Sequence, residues 1–312
     1  IKFLNLQLKL YSQENVYNTA ALYGCTVLQM SQNPHGLWHL KSSMQSLSFA
    51  LEKYLNDLAL HINFGQKVNS LEFDEDNNIW RIKALRGKKQ LVYEANEIVY
   101  TAPPQSLINH LDDSSHINKE YKNQLSKLSE PSGALVLYAA LKRSQIKTIN
   151  SNHYQFTHKE FGSLFLSLSV DGDGRAPEGE ITLIASIFTD TDEWLDLNKE
   201  EYYEKKEKFI RKISEALEIQ MNINSSSWLH RELATPLSFQ KWTNRPKGIV
   251  GGLGQSPNQF GLFGLPSRTP LKGLWLCGDS IYPGEGTAGV SQSALMVSRQ
   301  IIKSRGLTDL II

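Results

Sequence analysis

The chain has 312 residues, 33 Lys and Arg against 32 Asp and Glu, a net charge of +1, 40% hydrophobic and 21% charged residues. This is a globular balance with length for about two domains, and it excludes a disordered chain, a fibre and the basic excess of a dedicated nucleic-acid binder. Cys25 and Cys277 are too few for a disulfide framework or a thiolate metal site, and the longest apolar run, Ala134 to Leu141, is about half of the roughly 18–20 residues a membrane span needs, so a soluble, cytoplasmic protein is expected.

In chain order, Ile1 to Met30 reads as helical, and Asn33-Pro34-His35-Gly36 as a loop. Met44, Leu47, Leu51, Leu55, Leu58 and Ile62 then recur at three- and four-residue spacings, one stripe of a helix that Ser42 or Ser43 would cap. Short alternating strands follow at Lys67–Phe73, Ile79–Leu85, Gln90–Glu94 and Glu97–Thr101. The turns Asp74–Asn78 and Arg86–Lys89 separate them, and Pro103-Pro104 stops the pairing because proline has no N–H to offer. Leu107 to Leu128 reads as polar helix. Ala134–Leu141, Ser163–Val170, Glu180–Phe188 and Ser225–Leu233 read as strands, the second and third joined by Asp171-Gly172-Asp173-Gly174. Asn198 with Glu201 forms a capping box that opens a helix carrying Tyr203, Phe209 or Ile210, Ile213 and Leu217 on one side.

The last third is rich in glycine: Gly248, Gly251, Gly252, Gly254, Gly261 and Gly264 precede a strand at Gly273–Cys277. Gly278-Asp279-Ser280 follows, then Gly284-Glu285-Gly286-Thr287-Ala288-Gly289 and a helix from about Val290 to Ser304. The three glycines of this GxGxxG let backbone N–H groups approach a ligand, and the helix N-terminus favours an electronegative group there. As the opening fingerprint of a dinucleotide fold the motif needs a second strand and an acid beyond it. Only 23 residues remain after Gly289, and Asp309 stands beside the end of the sequence. The motif therefore reads as a closing element: Asp279 at the C-terminal edge of a strand, able to accept from sugar hydroxyls, with the next helix N-terminus pointing into the same crevice.

The segment Gly273 to Val290 resembles the C-terminal flavin motif of carotenoid desaturases and carotenoid isomerases, within the flavin-dependent amine oxidase and phytoene desaturase superfamily. Gly261 to Pro266 and Thr235 to Gln240 are similar to the isomerase-like side. Pro34-x-Gly36, the helix after it and the meander ending in Ala102-Pro103 match the middle flavin-domain segment. The wording of 278–289 is most similar to the cyanobacterial carotenoid 3',4'-desaturases. The resemblance implies an α/β plus α+β architecture: an FAD-binding Rossmann-like domain with a β-meander, interleaved with an α+β substrate domain. Its segments would be 1–33 (substrate-domain helices), 34–104 (middle of the FAD domain), 105–247 (substrate domain) and 248–312 (end of the FAD domain). The family's opening βαβ unit has no counterpart here, the first glycine being Gly24. With Ile1 in place of Met, this points to a C-terminal fragment.

The resemblance also implies FAD as cofactor. Asp279 would lie at its ribityl or pyrophosphate part and the amides around Gly289 and Val290 at the pyrimidine edge of its ring, with Gly278 and Gly286 as further cofactor-binding residues. The backbone of Val68 would lie at adenine, and Glu285 beside the ring as the one nominated catalytic side chain. The implied activity is introduction of a carbon–carbon double bond into a carotenoid, with the flavin taking hydride, Glu285 a proton, and quinone or oxygen as electron acceptor. Redox-neutral cis–trans isomerisation and a flavin-less module binding apolar ligands are the alternatives. An apolar polyene substrate implies peripheral contact with a membrane.

Other residues have plainer uses. His35 and His39 share a four-residue spacing, but no third metal ligand is evident. Asp171-x-Asp173-Gly174 lacks the later ligands of a calcium loop and reads as a hairpin turn. Trp38 and Trp242 are expected in core packing rather than lining an apolar tunnel, and Arg86 to Lys89 as a solvated basic turn rather than a contact with an anionic membrane surface.

Overall fold

The computed structural model describes residues 1–32, 38–112, 117–129, 131–146 and 151–307. The loop expected at Asn33 to Gly36, with His35 in it, and Asp309 lie outside the described residues. The elements begin with helices α1 (Lys2–Ser12), α2 (Ala21–Gln32) and α3 (Gln45–Asp57) and strands β1 (Lys67–Asp74), β2 (Ile79–Arg86), β3 (Lys89–Ala95) and β4 (Ile98–Tyr100). Short helices α4 (Leu107–His110) and α5 (Lys119–Ser126) lead to β5 (Gly133–Lys142), β6 (His153–His158), β7 (Gly162–Leu168) and β8 (Glu180–Thr189). Then come α6 (Asp192–Leu195), α7 (Lys199–Met221), β9 (Trp228–Ala234), α8 (Pro236–Thr243), β10 (Leu274–Leu276) and α9 (Gly286–Ser304). The chain divides into two units, each made of three separated segments.

The first unit comprises 1–10, 28–61 and 132–250. Its centre is a five-stranded sheet in the order β6-β7-β8-β5-β9, antiparallel throughout. Period-two alternation sends Ile181, Leu183, Ala185 and Ile187 of β8 and Leu164, Leu166 and Leu168 of β7 into the interior. There they meet Ile210, Ile213, Ala216 and Leu217 of α7 and the fully buried Trp194. Each large side chain so buried contributes about 1.5–3 kcal/mol. The capping box at α7 forms as the sequence predicts, with Asn198 accepting from Glu200 and Glu201 N–H and Glu201 accepting from Asn198 N–H. Asn222, at φ 52°, ends the helix in the left-handed conformation that asparagine tolerates.

Some expectations for this unit are corrected. Tyr203 is exposed, and it is Tyr202, one position earlier, that packs on the core. The stripe on α3 forms a helix, but none of its residues is buried, and Met44, Leu51 and Leu58 are all exposed. Trp38 and Trp242 are exposed as well (86% and 78%), the reverse of core packing. Strand β6, the four-residue helix α6 and helix α8 are additions; the last is opened by a box between Thr235 and Ser238 with Pro236 at its first turn. Ser43 supplies the oxygen that receives Gln45 N–H at the start of α3.

Asp173 is indeed a turn residue. Its carboxylate accepts from Val170 N–H, Arg175 N–H and Arg175 Nε at 2.7–2.8 Å, and His39 Nε2 lies 3.3 Å from it. Burial pushes its pKa up, but these donors and the guanidinium outweigh that and hold it well below the usual carboxylate range.

The second unit comprises 11–27, 62–131 and 251–312. Strands β1-β2-β3 form the expected meander, with a bulge between Val68 and Ser70. Strands β4 and β10 pair in parallel, Tyr100 opposite Leu276. All three residues of β10 are buried, as a continuous apolar run in a parallel pair requires. The core joins Leu71 and Trp80 of the meander with Leu107, Tyr121 and Leu125, and with Leu253, Leu274 and Ile281. Trp80 Nε1 donates to Lys272 carbonyl at 2.9 Å, so its buried N–H is satisfied. Among the described residues no helix is long and apolar enough to cross a membrane.

Candidate functional site

The site residues read from the sequence gather, with one exception, where β10 ends in the second unit. Cys277 N–H still bonds to Tyr100 carbonyl, prolonging the parallel pair by one residue, and Gly278 then turns away at φ 122°, a conformation glycine adopts freely. Gly278 N–H donates to Ser293 Oγ of α9 at 3.2 Å, tying the turn to the helix that follows. Asp279 is half-buried just beyond, and Ser280 Oγ donates to its Oδ1 at 3.3 Å. The exception is Val68, which stands on β1 of the meander beside the bulge and is 42% exposed.

The glycine motif has two different uses. Gly289 has a steric one, since a Cβ there would collide with the Gly284 carbonyl, so the loop can close on the helix only over a hydrogen atom. Gly286 has a conformational one: it sits at φ 87° with nothing within 4 Å of where a Cβ would be. Gly278 is nearly as open, with Thr101 carbonyl at 3.7 Å the only neighbour in that direction. Glu285 is the N-cap of α9, so its carbonyl and that of Gly286 take the first helical bonds, from Gly289 and Val290. The amides the helix leaves over are those of Gly286, Thr287 and Ala288, and all three residues are exposed.

Glu285 itself is engaged. Its Oε2 accepts from Gln13 Nε2 at 2.7 Å and from Gly252 N–H at 3.0 Å, while Gln13 Nε2 also reaches Gly252 carbonyl at 3.1 Å. Its carboxylate at the N-terminus of α9 is favourably placed against the helix dipole. Tyr23, buried on α2 with its hydroxyl donating to Tyr11 carbonyl at 2.7 Å, has its pKa raised by burial first and then by the negative charge of Glu285. The strand of chain at 251–254 lies tight against this loop: a Cβ on Gly252 would strike Asp279 carbonyl, and one on Gly251 would strike Gln13 and Glu285. Gln13 gave no signal in the sequence. Gly251 and Gly252 did, as members of a glycine-rich stretch, but without an indication of what they approach.

Among the described residues the arrangement therefore offers three N–H donors with no hydrogen-bond partner, open space above two glycines and one carboxylate at the end of a parallel strand. It suits an electronegative edge of a ligand at the helix terminus and hydroxyls at Asp279.

The fold is similar to that of cyclohexylamine oxidase from Brevibacterium oxydans, on which the chain superposes with a TM-score of 0.60 and 14% identity, covering 96% of this chain and 64% of that one. Curated relatives match nearly the whole chain, among them two of different activity. Chloroplastic prolycopene isomerase of Arabidopsis thaliana is 23% identical over 317 residues, 98% of this chain and 52% of the isomerase. The 4,4'-diapolycopene oxygenase of Methylomonas sp is 23% identical over 97% of this chain and 62% of that enzyme. The chain spans about half the length of the curated isomerases it matches. No family model matches it. The chain is homologous to prolycopene isomerases and a diapolycopene oxygenase, in agreement with the carotenoid desaturase and isomerase branch that its closing motif resembles.

Proposed function

We propose that this chain belongs to an FAD-dependent oxidoreductase that introduces a carbon–carbon double bond into a carotenoid. The observation that carries the reading is the end of β10: free amides at Gly286 to Ala288, the open faces of Gly278 and Gly286, and Asp279 within one loop. In this reading Gly278 and Asp279 hold the ribityl or pyrophosphate part. The amides of Gly286, Thr287 and Ala288 face the carbonyl edge of the ring, Gly289 and Val290 hold that turn through their bonds within α9, and Val68 offers its backbone to adenine. When bound, FAD supplies a two-electron acceptor. The second hydrogen leaves the polyene as a proton, and Glu285, held as a hydrogen-bond acceptor beside the loop, receives it. A quinone or oxygen would be the final electron acceptor. An apolar polyene is delivered from lipid, so the protein works in peripheral contact with a membrane.

A second reading, redox-neutral cis–trans isomerisation of a carotenoid, is favoured by the isomerase relatives that align with 98% of the chain. Incubation of purified protein with FAD and candidate carotenoids separates the two. Dehydrogenation gives a product lighter by two hydrogens, whereas isomerisation gives unchanged mass and a shifted visible spectrum. Protein that retains no flavin absorption after FAD loading and gel filtration would leave the third reading, an apolar-ligand module without cofactor.

A further inference from the structure

Gln13 is an unusual place to find a long polar side chain. It is 8% exposed, its backbone is left-handed at φ 59°, and its partner Glu285 lies 272 positions away. A left-handed glutamine costs about 1–2 kcal/mol, and the surroundings over-determine it. Its neighbour Ser12 accepts Gln255 N–H at 2.9 Å with its carbonyl, and a Cβ on Gly254 would press on Glu14 on the other side. The strip 12–14 thus lies along 251–255. From it the Gln13 amide reaches Gly252 carbonyl and Glu285 Oε2, while Gly252 N–H meets the same carboxylate oxygen. One amide group and one carboxylate close a ring through three chain segments, and that ring adjoins the free amides of α9.

We propose that Gln13 is a positioning residue of this site. It fixes the Glu285 carboxylate at the entrance of α9 and locks Gly251 and Gly252 beneath it, so that the placing of that anion depends on a residue far upstream. This rests on the flavin reading for what the anion does, but the latch itself does not. Glu285 is held through one oxygen by two donors, which sets both its direction and its role as acceptor. Tyr23 stands close enough to feel the charge, and Glu14 and Asp279 are the further acids on the segments packed against 251–254.

The test uses the full chain and two variants. Gln13→Glu keeps the shape but sets carboxylate against carboxylate; exchange of the Gly252 amide is expected to accelerate about tenfold or more and FAD affinity to fall by about as much. Glu285→Gln is the second variant: its amide oxygen still accepts from Gln13 and from Gly252 N–H, but the charge is gone. Protection of the Gly252 amide is expected to stay, while the visible spectrum of bound flavin is displaced and turnover falls. If Gln13→Glu fails to fold, Gln13→Met removes the donor without adding charge and is expected to show the same losses. Unchanged exchange and affinity in Gln13→Glu would overturn the latch. An unchanged flavin spectrum and turnover in Glu285→Gln would overturn the positioning of an anion and leave an ordinary structural bond. Wild-type chain that binds no FAD would defeat the flavin reading, with the exchange measurement still deciding the latch.

Discussion

A single methyl group distinguishes the two kinds of glycine at the site. At Gly252 a Cβ meets the backbone carbonyl of Asp279, which no rotamer change can relieve. Gly252→Ala is therefore expected to cost about 1–3 kcal/mol without any ligand, read as a lower urea midpoint. At Gly286 the same group meets nothing, and the cost is the left-handed backbone alone, about 1–2 kcal/mol in a fully formed helix terminus. Gly286 carries the first of the free amides, so Gly286→Ala is expected to lose FAD affinity out of proportion to its small stability loss. Equal effects on stability and affinity in both variants would show that the two positions are not doing different things. The sequence makes Gly286 and Gly289 visible because strand, turn and helix follow one another locally, and it makes Asp279 visible for the same reason. It is silent on Gln13, and on the partners of Gly251 and Gly252, because those depend on chain segments brought together only by the fold.

Among the elements, those with a complete local signal were legible: the capping box of α7, the meander strands with their turns, and the alternation of β7 and β8. Three were missed because each is short. Strand β6, His-Tyr-Gln-Phe-Thr-His, shows its alternation through only two core-facing residues, Tyr154 and Phe156, helix α6 has four residues and helix α8 eight. The stripe on α3 shows the limit from the other side. Spacing gives the helix but not what faces it, and Leu51 remains 57% exposed. Leu51→Gln is thus expected to change stability by no more than about 0.5 kcal/mol. Asn198→Ala, which frees two amides at the start of α7, should cost about 1 kcal/mol. Ile213→Ala on the buried side of that helix should cost about 2–5 kcal/mol. Urea titration of the three variants checks the order, and a Leu51 substitution as costly as the Ile213 one would mean that α3 is covered in solution.

At the scale of the whole molecule the two units differ in how their cores are drawn from the chain. Every residue of the first core lies between Leu135 and Leu233, one continuous stretch, whereas the second joins residues 71–125 to residues 253–281. Cutting the chain to residues 132–250 should therefore leave a piece that folds by itself, with native near-ultraviolet dichroism and cooperative urea unfolding. Residues 251–312 alone should not, because their buried leucines have lost Leu71, Trp80 and Leu107. The excised piece also carries its own acid response. The donors to Asp173, from Val170 and Arg175, are all inside it, so its carboxyl stays depressed when Ser42 and His39 are gone. A carboxylate whose pKa is lowered on folding stabilises fully above its unfolded value, about 3.9, and loses that contribution as pH falls toward the folded one. The urea midpoint of 132–250 is accordingly expected to be flat in this respect above about pH 5 and to fall below about pH 4. Asp173→Asn should lower the midpoint at pH 7 and make the acid limb shallower. A steep acid limb that survives the substitution would place the responsible carboxylate elsewhere, and a piece without cooperative unfolding would show that the sheet needs residues 1–10 and 28–61 to fold.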